Sequence, residues 1–184
     1  MTSTLKVQNI AHTGGDNAIE IDSDGRLTTS APIGFRCKLS AAQSISANNT
    51  RLIGWTISNT NALAGGFNTD GASGTVLNLS TGVVTVPVAG YYSWTMDVRL
   101  DSFSGSYSYI EFYQTNSSGT KTGTQGQYRY GRSLQQHHST YDALTISGIS
   151  YFDANQNAAM FWANSGDNSV AINDDTYWSF YKVG

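Results

Sequence analysis

The stretch from Tyr91 to Leu100 constrains this chain more than any other. Tyr92, Trp94, Met96, Val98 and Leu100 alternate without a break with Tyr91, Ser93, Thr95, Asp97 and Arg99. A period of two puts each set on its own face of an extended strand, one face apolar and the other polar. Such a strand needs a second layer to cover Trp94 and its neighbours. It also needs strands on both sides to bond its backbone. A chain built around it is a β-sandwich or a barrel.

The same alternation recurs along the chain. Phe35, Cys37 and Leu39 alternate with Arg36 and Lys38, and Ser108, Ile110 and Phe112 with Tyr109, Glu111 and Tyr113. Val76-Leu77-Asn78-Leu79, the turn Ser80-Thr81-Gly82 and Val83-Val84-Thr85-Val86 read as a hairpin. Leu144 and Ile146 open another strand, Ala158 to Ala163 is a short apolar run, and Thr176-Tyr177-Trp178-Ser179-Phe180-Tyr181 closes the series. No segment carries a helical period. Only 12% of the 184 residues are charged and no heptad is present, which excludes a coiled coil. Low charge alone suits disorder, but a chain with 12% aromatic residues and this many β-branched ones has a core to bury. Cys37 shares a face with Phe35 and Leu39, so the single cysteine reads as a buried structural thiol and no internal disulfide is possible.

Residues 1–34 have a different character and read as an arm. Leu5 and Val7 alternate with Lys6 and Gln8, and Ile19 and Ile21 with Glu20 and Asp22. The turn composition His12-Thr13-Gly14-Gly15-Asp16-Asn17 lies between them, and Asp22-Ser23-Asp24-Gly25 leads to Arg26-Leu27-Thr28. These few apolar residues make no core alone, so Leu5, Val7, Ile19 and Ile21 are expected to anchor the arm by burial against something else. Ala31-Pro32-Ile33-Gly34 is the hinge into residues 35–184, the head.

The run Ser80-Thr81-Gly82-Val83-Val84-Thr85-Val86-Pro87-Val88-Ala89-Gly90-Tyr91-Tyr92-Ser93-Trp94 resembles the signature of the C1q/tumour-necrosis-factor-like family. Phe35-Arg36-Cys37-Lys38-Leu39-Ser40-Ala41 resembles that family's first strand, and the run from Ser169 to Tyr181 its closing strands. The resemblance spans 35–184 and implies an all-β jelly-roll sandwich of about ten antiparallel strands that assembles as a homotrimer. In it, Gly90, Tyr92, Trp94, Trp178 and Phe180 form the core and trimer motif. The sequence departs from the family pattern at Phe152-Asp153-Ala154-Asn155-Gln156-Asn157, where a Gly-Asp pair is usual before an apolar strand. In the arm, Thr4-Leu5-Lys6-Val7-Gln8-Asn9-Ile10 and Ile19-Glu20-Ile21-Asp22-Ser23-Asp24-Gly25-Arg26-Leu27 resemble the repeats of bacteriophage virion fibres. Three intertwined copies bury the sparse Leu and Ile together, and the tyrosines suit a broad subunit interface.

Enzyme constellations are absent: no Gly-x-Ser-x-Gly elbow, no His-Glu-x-x-His pair and no phosphate loop occurs. The glutamates are Glu20 and Glu111. Asp97 and Glu111 fall on consecutive strands where they can approach each other, as a solvated or hydrogen-bonded pair rather than the acid and base of a glycosidase. Asp22-x-Asp24-Gly25 and Asp174-Asp175 read as turns, and His137-His138 as a polar loop tip, so no metal and no cofactor is expected.

Between Glu111 and Asp142 no carboxylate occurs, whereas Lys121, Arg129, Arg132, His137 and His138 interleave with Tyr113, Tyr128, Tyr130 and Tyr141. Cations among aromatic rings suit sugar recognition, and Tyr128, Tyr130, Arg132, His137, His138 and Tyr141 are the candidate receptor or glycan site. The competing assignment puts these tyrosines in the subunit interface.

A net charge of −3 argues against nucleic acid as a partner. No apolar run reaches the ~20 residues of a membrane span, and Met1-Thr2-Ser3-Thr4 does not open a secretory signal. The expectation is a non-enzymatic virion protein made in the host cytoplasm, a homotrimeric phage fibre or spike. Its arm contacts other virion proteins and its head binds a host glycan or receptor. A capsid decoration protein is the alternative; a bacterial adhesin and a polysaccharide-degrading enzyme rank below both.

Overall fold

The computed structural model describes residues 9–11, 17–21, 27–29, 32–45, 50–57, 66–71, 74–103, 107–123, 128–136, 142–164 and 170–183. The first three stretches are described by their backbone. The chain divides into two compact units, Met1–Pro32 and Ile33–Gly184.

In the first unit, β1 (Asn9–Ala11), β2 (Asn17–Ile21) and β3 (Leu27–Thr29) form an antiparallel meander with β2 in the middle. Glu20 pairs with Asn9 on one side and Thr28 on the other. Leu5 and Val7 lie outside the described residues, as do the side chains of Ile19 and Ile21.

The second unit is all-β, with no helix among the described residues. Its strands are β4 (Gly34–Leu39), β5 (Gln43–Ile45), β6 (Thr50–Arg51), β7 (Trp55–Thr56), β8 (Phe67–Thr69), β9 (Leu77–Asn78) and β10 (Val83–Thr85). Then follow β11 (Gly90–Phe103), β12 (Tyr107–Thr115), β13 (Arg129–Gln136), β14 (Asp142–Phe152), β15 (Asn157–Asn164), β16 (Val170–Ile172) and β17 (Tyr177–Val183).

They build two antiparallel sheets. One runs β5-β16-β11-β17-β4-β7, with β14 also on β11 and β8 on β4. The other runs β13-β12-β15-β10-β9, with β6 also on β15. The strand that the alternation marks most clearly, β11, lies between β14 and β17 from Tyr91 to Asp97. The first strand of this unit is zipped to its last: Phe35 pairs with Phe180 and Cys37 with Trp178.

The core fills the space between the sheets. Tyr92, Trp94, Met96, Val98 and Leu100 are all buried, as are Phe35, Cys37 and Leu39 on β4 and Ile110 and Phe112 on β12. Trp178 and Phe180 complete an aromatic row: Phe35 stands edge-on to Trp178 at 4.8 Å, and Tyr92 stacks on Phe180 at 4.7 Å. Each such pair adds about 0.5–1.5 kcal/mol beyond area burial. The Tyr92 hydroxyl donates to the Val88 carbonyl at 2.7 Å, tying the Pro87–Ala89 turn to the strand it feeds. The Cys37 thiol donates to the Trp178 carbonyl at 3.6 Å, and burial raises its pKa well above the usual value. It is a structural thiol.

Where the family pattern has a Gly-Asp pair, Asn155 takes the left-handed conformation (φ 65°) and its N–H donates to Val86. Asn tolerates that region better than other side-chain-bearing residues, so the turn closes without glycine.

The expectation that tyrosines face sister subunits needs dividing. Tyr92 and Tyr113 are buried within this one chain, whereas Tyr91, Tyr107, Tyr128, Tyr151 and Tyr181 are exposed.

Candidate functional site

Residue alternation on β12 puts Tyr109, Glu111 and Tyr113 on the face opposite Ile110 and Phe112, away from the main core. Tyr113, Ala159 and Phe161 make a small apolar cluster there. Beside it, Glu111 is only 1% exposed. A carboxylate that deep requires charge partners, and it has them. Lys121 Nζ donates to Oε2 at 2.8 Å and Arg129 Nη1 to Oε1 at 2.8 Å, while Arg132 Nε stands 3.9 Å from Oε1. Burial acts to raise the Glu111 pKa, but the hydrogen bonds and attraction of Lys121 and Arg129 outweigh it and hold it below the usual glutamate value.

Two local devices assemble this cluster. The first is a β-bulge. Phe112 pairs with Gly131 but Tyr113 pairs with Arg129, which leaves Tyr130 as the extra residue. Strict alternation sends residues 129 and 132 to opposite faces; the extra residue brings both arginines to Glu111. The second device is the turn after β12. The Asn116 side chain accepts from the Thr120 N–H and the Ser118 hydroxyl, and Gly119 takes φ 81°. The turn returns Lys121 to a bridge with Thr115. From there its ammonium lies 4.9 Å from the Tyr113 ring centroid and 4.5 Å from that of Phe161. Arg132 covers Tyr109 at 3.8 Å.

Next to the cluster lies a cleft of about 530 Å³ lined by Arg51, Tyr113, Gly119, Thr120, Lys121, Gly123 and Phe161. Arg51 Nη1 donates to the Ser118 carbonyl at 2.7 Å, and its buried Nε has no hydrogen-bond partner among the described residues.

The sequence-predicted site residues divide. Arg132 belongs to the cluster, and the exposed Tyr128 ring lies against Gly123 at the cleft. Tyr130 turns inward instead. Its ring packs 4.3 Å from Phe152 and 5.3 Å from Phe112, and burial, with the Asp153 charge adding to it, raises its pKa. As the bulge residue it is carried to the core side, away from Tyr128 and Arg132. His137, His138 and Tyr141 lie outside the described residues.

The suggested approach of Asp97 to Glu111 is corrected. Although β11 and β12 are consecutive, they belong to different sheets. Asp97 accepts from the Thr145 hydroxyl at 2.7 Å on the outside of one sheet, and Glu111 is held on the outside of the other. Asp174 and Asp175 are ion-paired to Lys38 (3.5 Å) and Arg99 (2.9 Å). No group of three His, Cys, Asp or Glu among the described residues is arranged to hold a metal. Arg51, Lys121 and Phe161 were missed in the selection of site residues, and only Lys121 carried a sequence signal.

The eight-stranded sheet has its own exposed feature. Tyr91 is 59% exposed, Ile149 66%, Tyr151 53% and Tyr181 43%, on neighbouring strands β11, β14 and β17. Tyr91 pairs with Tyr151 and their rings meet edge-on at 5.4 Å, while Ser93 pairs with both Ile149 and Tyr181. A groove of about 530 Å³ adjoins Tyr181, lined by Arg36, Phe67, Thr95, Asp97 and Tyr177.

No protein-family model and no curated protein sequence matches this chain. Among solved structures, it is similar to Eiger TNF from S. frugiperda, with 14% identity, a TM-score of 0.58 and coverage of 83% of this chain and 93% of that one. It is likewise similar to murine APRIL, with 13% identity, a TM-score of 0.55 and coverage of 83% and 100%. With two antiparallel sheets packed face to face and this likeness, the fold is a tumour-necrosis-factor/C1q-like jelly roll.

Proposed function

We propose that this chain is a non-enzymatic attachment protein of a bacteriophage virion, a homotrimer whose jelly-roll head binds a host surface glycan or receptor. The observation that carries the proposal is the outward patch of Tyr91, Ile149, Tyr151 and Tyr181. A contiguous apolar patch on a sheet face marks an interaction surface, and cyclic symmetry brings the same face of each copy to one axis. The other sheet then faces outward with its cation–aromatic cluster, and three copies supply avidity. The resemblance of the head to C1q/tumour-necrosis-factor-like domains supports the trimer. The resemblance of the arm to phage fibre repeats supports the virion.

Native mass spectrometry of the full chain tests the assembly. The expected mass is that of three copies, and Ile149→Asp gives a folded monomer; a monomeric wild type overturns the trimer. A reconstruction of the particle tests the place. A few trimers at the tail support attachment, hundreds on the shell establish decoration instead, and absence from the particle overturns the virion role.

A further inference from the structure

The cleft between Arg51 and Lys121 has features that the attachment reading does not use. Charge is the first. The six-stranded sheet and the turn after β12 place Lys121, Arg129 and Arg132 around one carboxylate, Glu111, and add Arg51 beside Lys121 in the cleft lining, in a chain whose net charge is −3. Glu111 neutralises one of the four, so the cluster keeps a positive excess on an otherwise acidic protein.

Preorganisation is the second. Lys121 is held from below by Glu111 and by two aromatic rings. Arg51 is fixed through Nη1 to the Ser118 carbonyl, with a buried Nε–H that has no partner among the described residues. Gly119 has no side chain where the Arg51 guanidinium lies. Cations already fixed in place lose little further freedom when an anion arrives. The third feature is shape. A cleft of about 530 Å³ falls within the roughly 300–1,000 Å³ of small-ligand sites, and the exposed Tyr128 ring stands at its Gly123 side.

We infer that this cleft binds the carboxylate of a uronic-acid residue in a surface polysaccharide, with Arg51 and Lys121 on the carboxylate and the Tyr128 ring against the sugar. The inference rests on the glycan-binding reading of the head and names the sugar class and the pocket. Arg51 takes the carboxylate through its guanidinium N–H groups at the cleft wall, whose planar fork suits carboxylate oxygens. Lys121 supplies a point charge. A neutral hexose lacks the group these cations await, so it is discriminated against.

The test is titration of the full-length protein with glucuronic acid, galacturonic acid, glucose and inorganic phosphate. Isothermal calorimetry and saturation-transfer NMR are the readouts, and the host polysaccharide is run in parallel. The uronic acids are expected to bind and glucose not. Arg51→Gln is expected to weaken uronate binding at least tenfold while circular dichroism and oligomeric mass stay unchanged. Lys121→Gln is a second variant of the same pocket, with the same expected loss. Unchanged uronate binding in both variants, with loss in Arg132→Gln, overturns the pocket and leaves the glycan reading standing. Binding of glucose but not uronates, or of phosphate alone, overturns the inference in the same way. Failure of every sugar and of the polysaccharide overturns the glycan reading itself.

Discussion

The indole of Trp94 lies directly on the α-carbon of Gly148, where a β-carbon would stand 2.5 Å from its Cζ2 atom. The same end of the indole also presses on Gly131 of the opposing sheet, so one tryptophan touches a glycine in each sheet. Gly148→Ala or Gly131→Ala forces the ring from its place, and overpacking of this kind costs about 1–3 kcal/mol. In urea titrations Gly148→Ala is expected to unfold earlier. Combined with Trp94→Phe it should cost less than the sum of the two single changes. Strict additivity overturns the contact as the cause.

The Glu111 cluster makes stability depend on acid. Its carboxyl titrates below the usual 4.5 in the folded protein, so the unfolded chain takes up the proton first as pH falls. The cluster therefore contributes in full above that value, and its contribution is lost as pH drops through the folded value. Glu111→Gln leaves Lys121 and Arg129 without their carboxylate and is expected to cost about 3 kcal/mol at neutral pH. Urea midpoints followed from pH 7 to pH 3 should fall less in this variant than in the wild type. Parallel curves contradict the assignment.

Gly119 carries a double constraint. Its φ of 81° disfavours any side chain, and a β-carbon there collides with Arg51 Nη1. Gly119→Ala should destabilise the head by about 1–2 kcal/mol and displace Arg51. Its uronate affinity then falls together with its melting temperature. Retained stability and retained affinity in this variant argue against the close approach.

Cys37 provides a probe of opening. It is buried, with its thiol pKa well above the usual range, so thiolate is scarce in the native state. Labelling by a disulfide reagent is expected at the rate of unfolding and no faster. Complete labelling within seconds under native conditions contradicts a closed β4–β17 seam.

Tyr92 offers a finer measurement. Tyr92→Phe removes the hydroxyl that bonds Val88 and keeps the stacked ring, so about 1 kcal/mol is expected. Tyr92→Ala also empties the space beside Phe180 and should cost about 3–5 kcal/mol. Equal losses in the two variants contradict this division.

What the sequence reveals follows from how local each feature is. The buried faces of β4 and β11 are legible from Phe35, Cys37, Leu39 and the Tyr92–Leu100 series, because alternation needs only one strand. The site is less legible. One inserted residue, Tyr130, moves Arg129 to the same face as Arg132, and period-two counting has no means to place it. Glu111 seemed a neighbour of Asp97 because their strands follow one another, but the chain crosses from one sheet to the other between β11 and β12. Arg51 reaches the cleft through β6, a two-residue strand whose one ladder among the described residues is with β15. Pairing that short is fixed by tertiary contacts rather than by residue preference.

The pairing of β17 between β4 and β11 also sets an order of events on the ribosome. Phe35 leaves the exit tunnel long before its partner Phe180. Until Trp178 and Phe180 emerge, one edge of β4 and one edge of β11 have no strand to hold them, and the aromatic row has a gap at its centre. The jelly roll therefore closes only after β17 is synthesised, and loss of that one strand opens an edge of β4, which keeps only β7 and β8, as well as an edge of β11.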